Sequence, residues 1–213
     1  MRSALLKYPF PAWLFAGMDE VRARLSSLLC SSIVKVFLRL HGCKVGSNFR
    51  CDGIPLIRMQ RPGAITIGDN VSVNTRRGSN MAGIMQRTTL QCIGDGEIVL
   101  HDRCGVSGAV LSARKSISIG KRSLLGVNTR VYDHDFHSIV PEHRIDRKLD
   151  SSMVKNSAVE VGEDVLIGAN AIILKGTHIG DRSAVGAGSV VTAGEYPRNA
   201  VIAGNPARVI STA

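Results

Sequence analysis

Val161-Gly-Glu-Asp-Val-Leu-Ile167-Gly-Ala-Asn-Ala-Ile-Ile173-Leu-Lys-Gly-Thr-His-Ile179-Gly-Asp-Arg-Ser-Ala-Val185-Gly-Ala-Gly-Ser-Val-Val191 is the stretch that decides the fold. Aliphatic residues recur at every sixth position: Val161, Ile167, Ile173, Ile179, Val185 and Val191. Glycine follows four of them directly, at Gly162, Gly168, Gly180 and Gly186. Four places after each of the first five comes a small or slim residue, Val165, Ala171, Thr177, Ser183 and Ser189, until Glu195 ends the run. Helices repeat at 3.6 and half-buried strands at 2.0, so a period of six belongs to neither and reads as a repeat architecture. Three hexads, about 18 residues, close one triangular coil of short strands. The aliphatic points into the prism, the small residue fits the narrow interior near a corner, and glycine tolerates the corner backbone. Coils then stack strand on strand, each burying its neighbour's interior. The expected fold is all-β: a parallel β-helix, a triangular prism of hexapeptide coils, with a short α-helical N-terminal segment and a protruding loop.

Working outward, the same register is firm back to Ile119-Gly120, Leu125-Gly126 and Val131, and looser at Val45-Gly46, Ile67-Gly68 and Ile93-Gly94. Arg76-Arg77-Gly78-Ser79-Asn80 breaks it and reads as a surface turn. Residues 137–160 do not repeat; Pro141 and several cationic residues mark a loop thrown out from one corner. Long loops in compact folds usually carry function. The prism is expected to end after Val191, with a tail over 197–213 lying across the last coil. The division is therefore 1–42 as an N-terminal helical segment and 43–213 as the β-helix domain.

Residues 1–42 lack the hexad. Asp19-Glu20 reads as a helix start, and Val21, Leu25, Leu28, Leu29, Ser32, Val36 and Leu40 follow at three- and four-residue steps. One or two amphipathic helices are predicted, with two readings. They cover the open sheet edge at the end of the prism, or they attach to an anionic membrane through Phe10, Trp13, Phe15 and the basic side chains. The start of the chain does not read as a signal peptide, and no apolar run is long enough to span a bilayer.

The 213 residues carry a net charge of +10, which suits an anionic partner such as a phosphorylated cofactor or an acidic membrane surface. Nucleic acid is not expected, because aromatics are 4% and no nucleic-acid motif occurs. Five cysteines without metal-like spacing read as reduced thiols of a cytoplasmic protein.

Tyr132-Asp133-His134-Asp135-Phe136-His137 stands where the clean hexads give way to the loop. A histidine held there by the coil and exposed at a corner suits proton abstraction from a hydroxyl, with an adjacent carboxylate fixing its tautomer. A plain surface turn and a metal site are the competing readings. No serine or cysteine lies in a nucleophile motif, so a covalent enzyme intermediate is not supported.

The hexads, the Asp133-His134-Asp135-Phe136-His137 motif and Ala203-Gly204-Asn205-Pro206-Ala207-Arg208-Val209-Ile210 resemble the left-handed β-helix (hexapeptide-repeat) acyltransferases. The nearest branch is the galactoside/maltose O-acetyltransferase type with its bacterial surface-polysaccharide relatives. The resemblance implies a left-handed winding and a homotrimer with active sites between neighbouring prisms. It implies acetyl-CoA as acyl donor, a sugar or glycan acceptor and no metal. His134 corresponds to the family's catalytic histidine; Asp133 is a candidate catalytic partner, and either it or Asp135 is the carboxylate that orients the ring. Ala169 and Ala187 match corners that meet the pantetheine arm; Thr192 and Arg208 match positions near the nucleotide end of CoA. Ala193 stands where a basic residue often follows the threonine, and Lys175 is one substitute for that charge. For Arg208 a salt bridge anchoring the tail is the other reading. The family's asparagine on the coil before the histidine is missing from Gly105-Val106-Ser107-Gly108, which leaves Ser107 as the contact to acceptor or oxyanion. The expected activity is O-acetylation of a sugar hydroxyl by direct attack, at the inner face of a bacterial membrane if the N-terminal segment binds lipid. Two other functions stand beside it: a zinc-dependent hydratase of the β-helical carbonic anhydrase kind, drawing on His101, His134, His137, His143 and His178, and a non-catalytic trimeric scaffold.

Overall fold

The computed structural model describes residues 10–212, with side chains from residue 18 onward except 19, 20, 22 and 23. Three parallel sheets of short strands wrap one interior, and each turn of the chain adds one strand to each sheet. The first face runs from Lys44–Val45 to Gly194–Tyr196, the second from Arg50–Asp52 to Ala200–Gly204, and the third from Leu56–Met59 to Val190–Val191. This is the left-handed parallel β-helix that the period of six and the family resemblance together implied.

The six-residue aliphatics all point inward: Val161, Ile167, Ile173, Ile179, Val185 and Val191 are buried, as are Val165, Ala171, Thr177, Ser183 and Ser189. Parallel register stacks like on like, so Val131 pairs with Ile173, which pairs with Val191. The interior is thus a column of branched aliphatics, each sealed above and below by the next coil.

The hexad glycines serve a different purpose from the one expected. Gly162, Gly168, Gly180 and Gly186 do not have positive φ; that conformation falls two residues later, at Asp164, Asn170, Arg182 and Gly188. Asn and Asp tolerate the left-handed region best among residues with a side chain. What the hexad glycine provides is close approach. A Cβ on Gly120 would overlap the carbonyl carbon and oxygen of Gly162 on the next coil. Gly120→Ala is therefore expected to destabilise by at least about 1–3 kcal/mol, the usual cost of overpacking, because backbone rather than a flexible side chain blocks it. A urea midpoint unchanged from the parent would contradict this.

Two boundaries shift from their sequence-based positions. The prism continues past Val191: Gly194–Tyr196 adds to the first face and Ala200–Gly204 to the second. Ala207–Thr212 then pairs antiparallel with Ala200–Gly204 and covers that sheet's last edge. At the other end a single helix, α1 (Phe10–Leu40), is already under way at Asp19-Glu20. Val34 and Leu38 join the core, and Ser31 Oγ accepts the Cys51 N–H at 2.8 Å. Val21, Leu25, Leu28, Leu29, Val36 and Leu40 are each more than half exposed. The apolar stripe singled out in the sequence therefore faces away from the prism, and Ser27, Ser31, Val34 and Leu38 make the packed face. The contacts expected of Phe10, Trp13 and Phe15 lie outside the described side chains.

Candidate active site

The corner between the third and first faces carries the histidine. Arg130–Tyr132 pairs on both sides, with Val110–Ala113 below and Ile172–Ile173 above, so its backbone is held rigidly. The next two residues turn inward instead of continuing outward. Asp133 is fully buried and receives three N–H groups: Arg114 N at 2.7 Å, Lys115 N at 2.7 Å and His134 Nδ1 at 2.9 Å. Arg114 and Lys115 form the same corner one coil earlier, and their amides have no strand partner there. A carboxylate that satisfies two backbone donors is fixed in place, and the third acceptor direction then fixes the imidazole.

With the carboxylate accepting, Nδ1 carries the proton and Nε2 carries the lone pair. Nε2 is buried and has no hydrogen-bond partner among the described residues. The imidazole is only 1% exposed, which corrects the expectation of an open corner histidine. The cover comes from its own chain. Asp135 N donates to Lys155 O, Ser157 N donates to Asp133 O, and His134 forms an antiparallel bridge with Asn156. The Phe136 ring lies 4.8 Å from the imidazole and edge-on to Tyr132.

The excursion that supplies this cover is not structureless. It contains a 3₁₀ turn, Pro141–Ile145, and a short helix, α2 (Arg147–Ser152), whose start Asp146 caps by accepting from Leu149 N. Asp150 knits it together, accepting from Ser138 N at 2.7 Å and meeting His137 Nδ1 at 2.6 Å. The His137 contact, then the Ser138 N–H, hold the Asp150 carboxyl below the usual carboxylate range. A carboxyl with a lowered folded pKa contributes fully above its unfolded pKa of about 4 and loses that contribution as pH falls through the folded value. The Ser138 amide should therefore lose hydrogen-exchange protection as pH falls below about 4, the ordinary carboxyl value, through the lowered folded one, and Asp150→Asn should abolish the dependence. Constant protection factors in the parent would contradict it.

The remaining candidate residues divide between two corners. Lys175 and Thr192 stand on the same edge as His134, one and two coils further on. Lys175 is paired with Asp135, so its charge ties the histidine segment to the next coil instead of standing free for a phosphate. The Thr192 carbonyl accepts from Tyr196 Oη at 3.1 Å. Ser107, Ala169 and Ala187 occupy the edge between the second and third faces. A strand of three or four residues separates the edges, about 10 Å. Ser107 and His134 thus stand on different edges of one chain. Ser107 accepts from Asn74 Nδ2 at 3.1 Å and Asn80 Nδ2 at 3.3 Å, with Asn128 N donating to its carbonyl. Arg208, on the closing strand, is exposed and bonds the carbonyl of Ala207; it makes no ion pair among the described residues, so the anchoring salt bridge is absent there.

Sequence reasoning missed the amides of Arg114 and Lys115 and the three asparagines at Ser107. The signal for the first was present: 114 and 115 lie one coil-length before 133. Of the histidines weighed for zinc, His137 meets Asp150, His143 meets Ser138, His178 meets Glu160 and His101 meets Ser118. Among the described residues no three side chains are placed to share a metal ion.

Comparison with known proteins agrees with the architecture. The hexapeptide repeat of succinyl-transferase matches residues 158–193. A provisionally assigned lipopolysaccharide biosynthesis O-acetyl transferase, WbbJ of Escherichia coli strain K12, is 32% identical over 156 residues, 71% of this chain and 74% of its own. Among solved structures, AntD, an N-acyltransferase from Bacillus cereus in complex with dTDP and 3-hydroxybutyryl-CoA, superposes with a TM-score of 0.65 at 24% identity, covering 84% of this chain and 87% of that one. The hexapeptide-repeat acetyltransferase VCA0836 from Vibrio cholerae, complexed with acetyl coenzyme A, gives 0.52 at 20% identity over 84% and 75%. At these identities the two structures speak for the fold.

Proposed function

The chain belongs to the hexapeptide-repeat acyltransferase family, and from that membership we propose an acetyl-CoA-dependent O-acetyltransferase acting on a sugar hydroxyl of a bacterial polysaccharide or saccharide precursor. The observation that carries the chemistry is the Asp133–His134 pair: Nδ1 is committed to a buried carboxylate, and Nε2 is left as the one unpartnered atom of the ring. Nε2 takes the proton of the acceptor hydroxyl as its oxygen attacks the thioester carbonyl carbon. The carbon–sulfur bond breaks, and the proton passes from the imidazolium to the departing CoA thiolate. Asp133 stabilises the imidazolium between the two transfers. Acceptor entry requires the Lys155–Ser157 segment and the Phe136 ring to move off Nε2.

Acyl donor and catalytic base meet between two subunits in this reading. His134, Lys175 and Thr192 lie on one prism edge and Ser107, Ala169 and Ala187 on another, so a site using both sets draws them from two copies. Leu124 and Leu166, stacked in register on the second face and about half exposed, supply apolar area for a neighbouring prism. We read the assembly as a homotrimer in the cytoplasm, with acetyl-CoA in the groove between prisms, Arg208 near its nucleotide end, and peripheral contact of residues 1–42 with the inner face of the membrane. A solution mass of one chain by light scattering would remove the shared site.

The acyl acceptor separates this reading from its neighbour. AntD acylates nitrogen on a related prism, so an amino sugar is the second reading. Thiol release from acetyl-CoA with a panel of neutral and amino sugars distinguishes them: an ester product is cleaved by mild alkali and an amide is not. Transfer to amino sugars alone would overturn O-acetylation, and silence across the panel would favour a scaffold.

A further inference from the structure

The outward face of α1 is an apolar surface that the fold leaves uncovered among the described residues. At 100° per residue, Val21, Leu25, Leu28, Leu29, Val36 and Leu40 fall within about 120° of the helix circumference, and Ile33 and Phe37 widen this to about 180°. The packed residues Ser27, Ser31, Val34 and Leu38 sit opposite. Phe37 and Ile33 continue the apolar surface into a groove shared with Ile54, Leu56 and Ile57 of the first coil. Charge follows the same end of the molecule. Residues 19–61 contain eight Lys and Arg against three acidic residues, Asp19, Glu20 and Asp52, and Asp52 is paired with Arg76. At the same spacing Lys35 borders the apolar arc on one side, and Arg39 falls inside that edge, its guanidinium donating to the Val45 carbonyl at 3.1 Å.

We propose that this face docks on the surface of an anionic phospholipid bilayer, with the apolar arc among the upper acyl chains and the basic rim against the headgroups. The inference deepens the peripheral contact read above and does not depend on the acyl-transfer chemistry. Two features favour lipid over a second copy of the helix. A helix–helix seam needs a narrow stripe, two positions in seven, whereas this arc spans about half the circumference. Two copies would also bring like-charged rims together, while acidic headgroups complement them. No helix among the described residues is long and apolar enough to cross a membrane, so the contact is one of lying on the surface. Because the opposite side of α1 covers the first coil, docking stands the prism on its N-terminal end. His134, at the corner after the fourth coil, is then about 15 Å above the first coil.

Flotation of the full-length protein with vesicles tests this, using phosphatidylcholine alone and phosphatidylcholine with about one-quarter phosphatidylglycerol, at near-physiological salt. The protein should float with the anionic vesicles at least tenfold more than with the neutral ones. The double substitution Leu28→Glu, Leu29→Glu should lower that binding at least tenfold while leaving the thermal midpoint within a few degrees, since both side chains are mostly exposed. Absence of flotation, equal flotation with both vesicle types, or unchanged binding by the double variant would each overturn it. So would a parent that ignores vesicles and whose light-scattering mass falls in the double variant, because a second copy then covers the face. Thiol release measured on the same preparations keeps the two ideas apart: lost vesicle binding with retained transfer concerns this surface alone.

Discussion

His134→Ala lowers acetyl transfer by about 10²–10⁴-fold, the usual contribution of one general base, while CoA binding and subunit assembly persist. The separation of effects follows from where the ring sits. The imidazole lies at one corner and is covered by residues 155–157, so its removal leaves every stacked strand of the prism paired. The CoA-facing positions proposed at Ala169, Ala187 and Thr192 are on other coils and keep their backbone. Turnover should fall with little change in the Michaelis constant for acetyl-CoA, because the base acts on the acceptor proton and not on donor binding. Full activity in the variant would remove the mechanism. An equal loss of CoA binding would show that the substitution had disturbed the corner itself, and His134→Asn, nearer in shape, then repeats the test.

Asp133→Asn should be nearly as damaging to turnover and should also cost stability. The carboxylate now accepts three N–H groups in a fully buried position. An amide offers one oxygen and presents an NH₂ group where the other oxygen stood. One buried backbone N–H, of Arg114 or Lys115, then loses its acceptor, at about 1–3 kcal/mol. If the NH₂ group takes the place of Oδ1, which accepts from both Arg114 N and His134 Nδ1, it also donates to Nδ1, the ring's proton moves to Nε2, and the base is lost. Nitrogen chemical shifts of the imidazole distinguish the tautomers, a readout that a purely structural role would leave unchanged. A variant with parental stability, parental tautomer and parental turnover would contradict both halves of the argument. Asp135 makes a control: it is paired with Lys175 at a partly exposed position, and Asp135→Asn should have the smaller effect.

The two substitutions also show how far the site was legible before the fold was known. The histidine and its neighbouring carboxylate were visible because they interrupt a repeat that is otherwise regular. Which edge Ser107 shares with other polar groups was not legible. Adjacency in a prism depends on which corner a residue occupies, and the insertion after Asn74 lengthens one coil enough to blur that count. The burial of Nε2 was invisible for a related reason. It comes from a segment more than twenty residues further on, and Lys155–Ser157 has no periodic signature of its own.

The period of six by itself determined the triangular coil, the column of aliphatics inside it and the places where loops leave it. Each of those follows from short-range repetition: every sixth side chain meets the same environment, so the pattern is written again in every coil. Tertiary structure alone decided that the hexad glycines serve close backbone approach, that the candidate residues divide between two edges, and which side of α1 is covered. The last of these could not be read in advance because apolar residues occupy well over half of that helix's circumference. Only the shape of the first coil, with Cys51 N–H seeking an acceptor and Val34 and Leu38 fitting its open end, selects one face and leaves the other bare.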